Sequence, residues 1–283
     1  MLTQLYPMVQ FKKDTWEIDE FECASAFLLI GGERAMLIDC GIGIGDLRGA
    51  VGRITDKPLV VVVTHNHGDH TGNIRQFREI WMSPKDSAGA QMPWDVAQRR
   101  GYARMIAERQ KGIYPYDPET DIREYGADEP MPVIHDVSDG QRFDLGGGRV
   151  VVAMECPGHT EGELVLLDEA SRTLFCGDAL NYNLLFGAPG STSIERAVKG
   201  LEWMRDARGQ YDGIFNGHHD FRPLGAPLAD DCLPNAIELC HQLLDGTYSL
   251  APTPDFLKPP LPPMTMVQKG RNYVGFDKDR IFE

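Results

Sequence analysis

The chain has 283 residues, enough to bury a full core in one large domain or two small ones. Apolar residues make up 42% and charged residues 25%, which excludes a disordered or fibrous chain. Against 42 Asp and Glu stand only 28 Lys and Arg, and a net charge of −14 disfavours a nucleic-acid partner, because such binding neutralises phosphates with Lys and Arg.

From the N-terminus, Met1 to Glu20 lacks the basic start and apolar stretch of a secretory signal, and no uncharged apolar run is long enough to span a bilayer. The six cysteines (Cys23, Cys40, Cys156, Cys176, Cys232 and Cys240) are scattered and read as buried, reduced thiols, so the expectation is a cytoplasmic protein with no membrane partner. Ala26 to Ile30 and Ala35 to Asp39 are apolar runs around the turn Gly31-Gly32-Glu33-Arg34, a hairpin signal. A short helix is predicted over Asp46 to Ile54. Leu59 to Val63 follows, a β-branched run without polar alternation, as in a strand covered on both faces.

In the second half, Arg149 to Met154 reads as a strand that runs into Pro157-Gly158-His159-Thr160. Glu163 to Asp168 and Thr173 to Cys176 form a further hairpin. Ser193 caps a helix predicted from Ile194 to about Arg208, with Ala197, Leu201 and Met204 on one face. A short strand at Asp212 to Asn216 and a helix at Asn235 to Leu244 follow. This alternation implies an α/β fold with helices outside the sheets. Two segments depart from it: an insert at about 86–132, including Trp94, Tyr102, Met105 and Ile106, and a proline-rich strap at about 251–283 whose Asn272 to Phe276 returns as an edge strand. The whole, 1–283, is read as one domain.

His65, His67, Asp69 and His70 fall within six residues directly after a buried strand. Histidines at i and i+2 cannot share a helical face, but a strand end or tight loop aims both at one point. Gly68 and Gly72 are read as permitting the sharp backbone path that brings Asp69 and His70 round. A lone histidine is most simply a structural residue. Three with an aspartate at this spacing form a donor set for zinc or another borderline divalent metal.

Thr64-His65-Asn66-His67-Gly68-Asp69-His70 resembles the signature of the metallo-β-lactamase superfamily, and later motifs arrive in that family's order. They are Pro157 to Gly162, Phe175-Cys176-Gly177-Asp178 and Asn216-Gly217-His218; Leu37-Ile38-Asp39-Cys40-Gly41 resembles the first motif. The resemblance covers Phe27 to His218 and implies a four-layer αβ/βα sandwich of two mixed β-sheets with helices on the outer faces. It implies that His65, His67 and His159 hold one metal and Asp69, His70 and His218 another, with Asp178 bridging, and that Asp39 and Thr64 orient ligands. His219 is the alternative to His218, which the preceding glycine favours. His135 and His241 match no motif and read as structural or surface residues. Two zinc ions, or iron or manganese, are the implied cofactors, and Asp69 orients or deprotonates the attacking hydroxide.

Within the family, a missing export signal and Asp178 in the bridging position argue against secreted β-lactamases. His67 argues against the flavin-linked electron-transfer branch. The expected function is hydrolysis of a small acyl substrate, a lactone, ester or thioester, with lactonases and glyoxalase II as the similar groups. Tyr182 is a candidate to hydrogen-bond the substrate, and the 86–132 insert a candidate lid with Trp94, Tyr102 and Met105 as an apolar wall. A mononuclear iron oxygenase of the persulfide dioxygenase type and a phosphodiesterase are the alternatives.

Overall fold

The computed structural model describes residues 2–91, 94–110, 116–126, 128–188, 190–218, 222–254 and 264–283. Its first sheet opens with a hairpin that the sequence reading does not contain, Met8–Lys12 (β1) against Thr15–Asp19 (β2). Ser25–Ile30 (β3) and Ala35–Ile38 (β4) then form the expected antiparallel pair, with Phe27 opposite Ile38 and Ile30 opposite Ala35. Leu47–Gly52 (α1), capped by the Asp46 side chain, crosses over to Leu59–Val62 (β5), which runs parallel to β4. Glu79–Met82 (β6) and Val133–Asp136 (β7) extend the sheet in parallel, in the order β1-β2-β3-β4-β5-β6-β7.

The 86–132 segment is therefore the crossover between two neighbouring parallel strands, a connection that parallel pairing requires to be long. Before it, Gly68–Thr71 (α2) is a single helical turn after β5. Within it lie Ser87–Ala90 (α3), Val96–Gln110 (α4) and Pro118–Asp121 (α5).

In the second sheet Gln141–Asp144 (β8), Val150–Glu155 (β9), Leu164–Asp168 (β10) and Thr173–Phe175 (β11) pair antiparallel in sequence. Asn183–Phe186 (β12) leaves for a third sheet, and Gly213–Phe215 (β13) returns to run parallel to β11. Ile194–Asp206 (α6), with Ser193 Oγ accepting the Arg196 N–H, and Cys232–Leu244 (α7) cover its outer face.

Leu250–Ala251 (β14), Thr265–Lys269 (β15) and Asn272–Phe276 (β16) join β12 in the order β12-β16-β15-β14. This corrects the edge-strand expectation: β16 is an inner strand, parallel to β12 and antiparallel to β15, because Val274 and Phe276 bury themselves in the core. Pro259, Pro260, Pro262 and Pro263 of the strap lie outside the described residues.

Three apolar cores separate four layers. Between the two large sheets Phe27, Leu29, Ile38, Val60 and Val62 meet Val151, Leu164, Leu166, Phe175 and Phe215. The outer face of the first sheet buries Leu28, Leu37 and Val61 under Leu47, Val51 and Ala103, and the outer face of the second buries Val165 and Leu174 under Leu201, Met204 and α7. Val61 thus faces one core and Val60 and Val62 another, which is why that strand is apolar at every position. The six cysteines are buried free thiols. Among the described residues no helix is long and apolar enough to cross a membrane.

Candidate metal centre

The ends of β5, β9 and β11 and the loop after β13 converge at one edge of the sandwich. Three overlapping donor groups meet there: His65 with His67 and His159, His65 with His70 and Asp178, and Asp69 with His70 and His218, each with its atoms within 4.8 Å of one another. All seven metal ligands implied by the sequence are brought together. His67 Nδ1 lies 2.8 Å from His159 Nε2. Asp178 sits between the groups, with Oδ1 3.8 Å from His70 Nε2 and Oδ2 3.5 Å from His159 Nε2 and 3.3 Å from His218 Nε2. His219 lies outside the described residues.

The chain fixes the ring tautomers. Asp39, in the left-handed region at φ 64°, accepts the Thr64 N–H at 2.7 Å through Oδ1, and the Thr64 hydroxyl and His70 Nδ1 at 2.9 Å through Oδ2. Since the only hydroxyl proton of Thr64 goes to Asp39, His65 Nδ1 must donate to Thr64 Oγ1 at 3.0 Å. His159 Nδ1 donates to the Leu185 carbonyl at 2.8 Å. In all three rings Nε2 is the nitrogen left facing the cluster, the arrangement that orients a histidine for a metal.

Among the described residues, His65 Nε2, His70 Nε2 and Asp178 Oδ1 are buried without any hydrogen-bond partner. A buried polar atom left unmet costs about 1–3 kcal/mol, and three facing one another are what a divalent ion satisfies. The donor set fits such an ion. Burial, with His70, His67 and His159 nearby, holds His65 well below the ordinary imidazole range, and burial lowers His159 to about 4, so both rings are neutral donors. Burial also pulls His70 down, but the Asp39 and Asp178 carboxylates prevail and raise it to about 9. Burial pushes the Asp178 carboxyl up, yet His218, His70 and His159 hold it well below the usual carboxylate range.

Three further residues build the site, two of them not singled out by the sequence and the third, Tyr102, read there only as part of an apolar wall. Glu163 is fully buried at the start of β10; its Oε1 accepts the Asp178 N–H at 3.0 Å and its Oε2 lies 3.5 Å from His65 Nδ1. Its signal was a charge opening an otherwise apolar strand. Asp86 ties two ligand loops together, accepting the Asn66 N–H at 3.1 Å, the Thr160 hydroxyl at 2.7 Å and the Gly162 N–H at 2.9 Å. Tyr102, on α4, lies beside Asp69: burial, with that carboxylate next in weight, pushes the Tyr102 hydroxyl well above the ordinary tyrosine range.

Tyr182 has other neighbours. Its ring is 1% exposed within the outer core of the second sheet, and its hydroxyl accepts the Ala229 N–H at 3.2 Å and Arg271 Nη2 at 3.0 Å. This geometry makes it a packing residue and gives no support to a substrate contact. The role given to Gly68 and Gly72 is corrected too: neither adopts a positive φ. Space decides instead, since a Cβ on Gly68 would strike the Trp94 indole. Gly217 is required similarly, with His70 and Asp178 where its Cβ would stand. The loop bearing His218 is pinned from two sides, by Ser25 N–H to the Gly217 carbonyl at 2.7 Å and by Gly217 N–H to the Gly177 carbonyl at 2.8 Å. His135 stacks on Trp81, and His241 contacts Glu202, both away from the cluster.

A sequence profile of the metallo-β-lactamase superfamily matches residues 22–207. The acyl-coenzyme A thioesterase MBLAC2 of Gallus gallus is 26% identical over 236 residues, covering 78% of this chain and 81% of that protein. A hydroxyacylglutathione hydrolase of Halorhodospira halophila is 30% identical over 121 residues, 42% of this chain and 32% of that protein. Among solved structures, a metallo-β-lactamase from Pontibacter korlensis superposes with a TM-score of 0.56 at 16% identity, covering 84% of this chain and 99% of that one.

Proposed function

The chain belongs to the metallo-β-lactamase superfamily, and on that premise we propose that it is a dinuclear-zinc hydrolase of a small acyl substrate, with a thioester as the favoured class. The observation that carries the reading is the set of buried, unpartnered atoms His65 Nε2, His70 Nε2 and Asp178 Oδ1, which belong to donor groups that overlap. The thioester preference draws on relatives named as an acyl-coenzyme A thioesterase and a hydroxyacylglutathione hydrolase.

His65, His67 and His159 would hold one ion, Asp69, His70 and His218 the other, with Asp178 between them. Two divalent ions so held supply hydroxide at neutral pH and polarise the acyl oxygen. The protein's own part is orientation and proton handling. Asp69 is 9% exposed, with Oδ2 3.7 Å from His218 Nε2, and would orient the attacking water and take its proton. The Tyr102 hydroxyl, beside that carboxylate, would help to hold it in place. Asp39 and Thr64 keep His65 and His70 in the tautomer that leaves Nε2 free.

The test combines metal analysis of protein purified without added metal with a panel of an ester, a lactone, a thioester and a phosphodiester. Two zinc equivalents are expected, with thioester turnover abolished by chelation and reduced by at least 10³-fold in His65→Ala, an order-of-magnitude figure for loss of a metal-centred nucleophile. If His65→Ala kept full activity across the panel, the reading would be overturned. One iron per chain with oxygen consumption would replace hydrolysis by oxygenation.

A further inference from the structure

One cleft lies outside the donor cluster yet shares a wall with it. It encloses about 260 Å³ and is lined by Thr71, Gly72, Arg75, Trp94, Arg99 and Tyr125 among others. Thr71 and Gly72 directly follow His70, and the Trp94 indole that packs on Gly68 is the same indole that walls the cleft.

Its lining sets Arg75 and Arg99 against Asp95 and Glu124, a formally neutral patch on a molecule that carries −14 overall. The guanidinium carbons of Arg75, Arg99 and Arg123 lie 5.3, 5.5 and 5.2 Å from the centre of the Tyr125 ring. Arg123 is paired with Glu129 at 2.6 Å. Arg75 and Arg99 form no ion pair among the described residues. Arg99 is 4% exposed; its Nη2 donates to the Arg123 carbonyl at 2.7 Å, while its Nη1 is buried with no hydrogen-bond partner among the described residues. Arg75 makes weak bonds, Nε to the Met131 sulfur and Nη1 to carbonyls at 3.4 and 3.5 Å.

Two carboxylates also border the cleft. Asp95 Oδ1 is occupied by the Gln98 N–H at the start of α4, and Glu124 is exposed to solvent. A buried guanidinium N–H without an acceptor is costly, and Arg75 and Arg99 have no carboxylate paired with them among the described residues. An oxyanion in the cleft would give Arg75 and its neighbour Arg99 a counter-charge, and the planar, weakly bonded fork of the part-exposed Arg75 suits a phosphate or carboxylate.

We propose that this cleft binds an anionic arm of the substrate, a phosphate or carboxylate, while the acyl carbon lies at the metal centre beyond Trp94. The assignment rests on the thioester reading for its substrate but not for its binding site, so two measurements separate them. In the first, KM is measured for a coenzyme A thioester (phosphates on the thiol), a glutathione thioester (carboxylates on the thiol), a succinyl thioester of N-acetylcysteamine (carboxylate on the acyl group) and the neutral acetyl thioester of N-acetylcysteamine. In Arg75→Ala the KM for at least one anionic substrate, divided by that for the neutral one, should rise tenfold or more, and the substrate affected identifies the arm.

In the second, calorimetry on the metal-loaded protein follows binding of adenosine 3′,5′-bisphosphate, S-methylglutathione and succinate, none of which can be hydrolysed as a thioester. At least one should bind tenfold more weakly to Arg75→Ala and to Arg99→Gln; the half-exposed Arg75 guards against a fold defect at the buried Arg99. Arg75-dependent binding without thioester turnover would keep the cleft and remove the thioester reading. Thioester turnover with the KM ratios and all three affinities unchanged in Arg75→Ala would remove the cleft proposal.

Discussion

At the scale of single residues, the site depends on carboxylates whose only contacts are with neighbouring ligands and loops. Asp39 was legible in the sequence because it lies in a recurring five-residue motif. Asp86 and Glu163 were not, since a buried carboxylate in a stretch of ordinary composition looks the same as an exposed one. Only the folded chain puts Asp86 against Asn66, Thr160 and Gly162, donors 20, 74 and 76 positions away. Asp86→Ala would leave three donors without their acceptor and should cost about 2–4 kcal/mol of stability. Because Thr160 adjoins His159 and Asn66 lies between His65 and His67, zinc affinity should also fall by roughly 10–100-fold. Chelator competition and a thermal melt read the two effects separately; unchanged values in both would mean that the carboxylate does not hold these loops.

At the scale of elements, the most informative piece is α4. The sequence of α4 and of the residues leading into it shows Trp94, Tyr102 and Met105 as an apolar wall, and the structure sets Trp94 on Gly68 and Tyr102 beside Asp69, with ring centres 5.8 Å apart. What the apolar pattern could not convey is that Tyr102 lies within electrostatic reach of the Asp69 carboxylate. Tyr182 shows the opposite error: nearness in sequence to Asp178 suggested a role in the site, but its ring turns into the core of the second sheet and its hydroxyl toward Ala229. Offsets along a loop do not reveal which way a ring turns.

The two positions on the crossover should separate in kinetics. Tyr102→Phe removes the hydroxyl beside the Asp69 carboxylate and should lower kcat by up to about tenfold, with KM and metal content little changed. Trp94→Ala opens the wall over Gly68 and should instead change KM or substrate preference while metal content stays intact. Equal kinetics for wild type and Trp94→Ala across several substrates would exclude a covering role for this segment.

At the scale of the whole molecule, the core between the two sheets takes residues from both halves of the chain, so neither half can bury its inner face alone. This was legible in the sequence through its two apolar hairpins. The pieces that lock the halves together were not, because they are charged and far apart in sequence. Arg149 reaches Asp168 at 2.5 Å as well as the Asp14 and Ile30 carbonyls. Arg222 forms a two-pronged pair with Glu17 at 2.7 and 3.0 Å, both side chains at most 2% exposed. Glu17 also accepts the Ser25 hydroxyl and the Gly225 N–H, and Arg222 grips Asn216 through its side chain and its carbonyl. The pair therefore clamps β2 to the segment that carries His218.

Removing one partner of a buried pair strands the other charge, at a typical cost of 3–5 kcal/mol. For a chain of this size, Glu17→Ala should then lower Tm by on the order of 10 °C. If the sandwich is a single cooperative unit, far-ultraviolet and near-ultraviolet circular dichroism should report the same lowered midpoint. Two separate midpoints would show instead that the halves unfold independently and that the clamp serves only one of them. Because Ser25 also pins Gly217, zinc affinity in Glu17→Ala should fall along with stability. An intact affinity beside the lowered Tm would place the pair's influence on the fold alone.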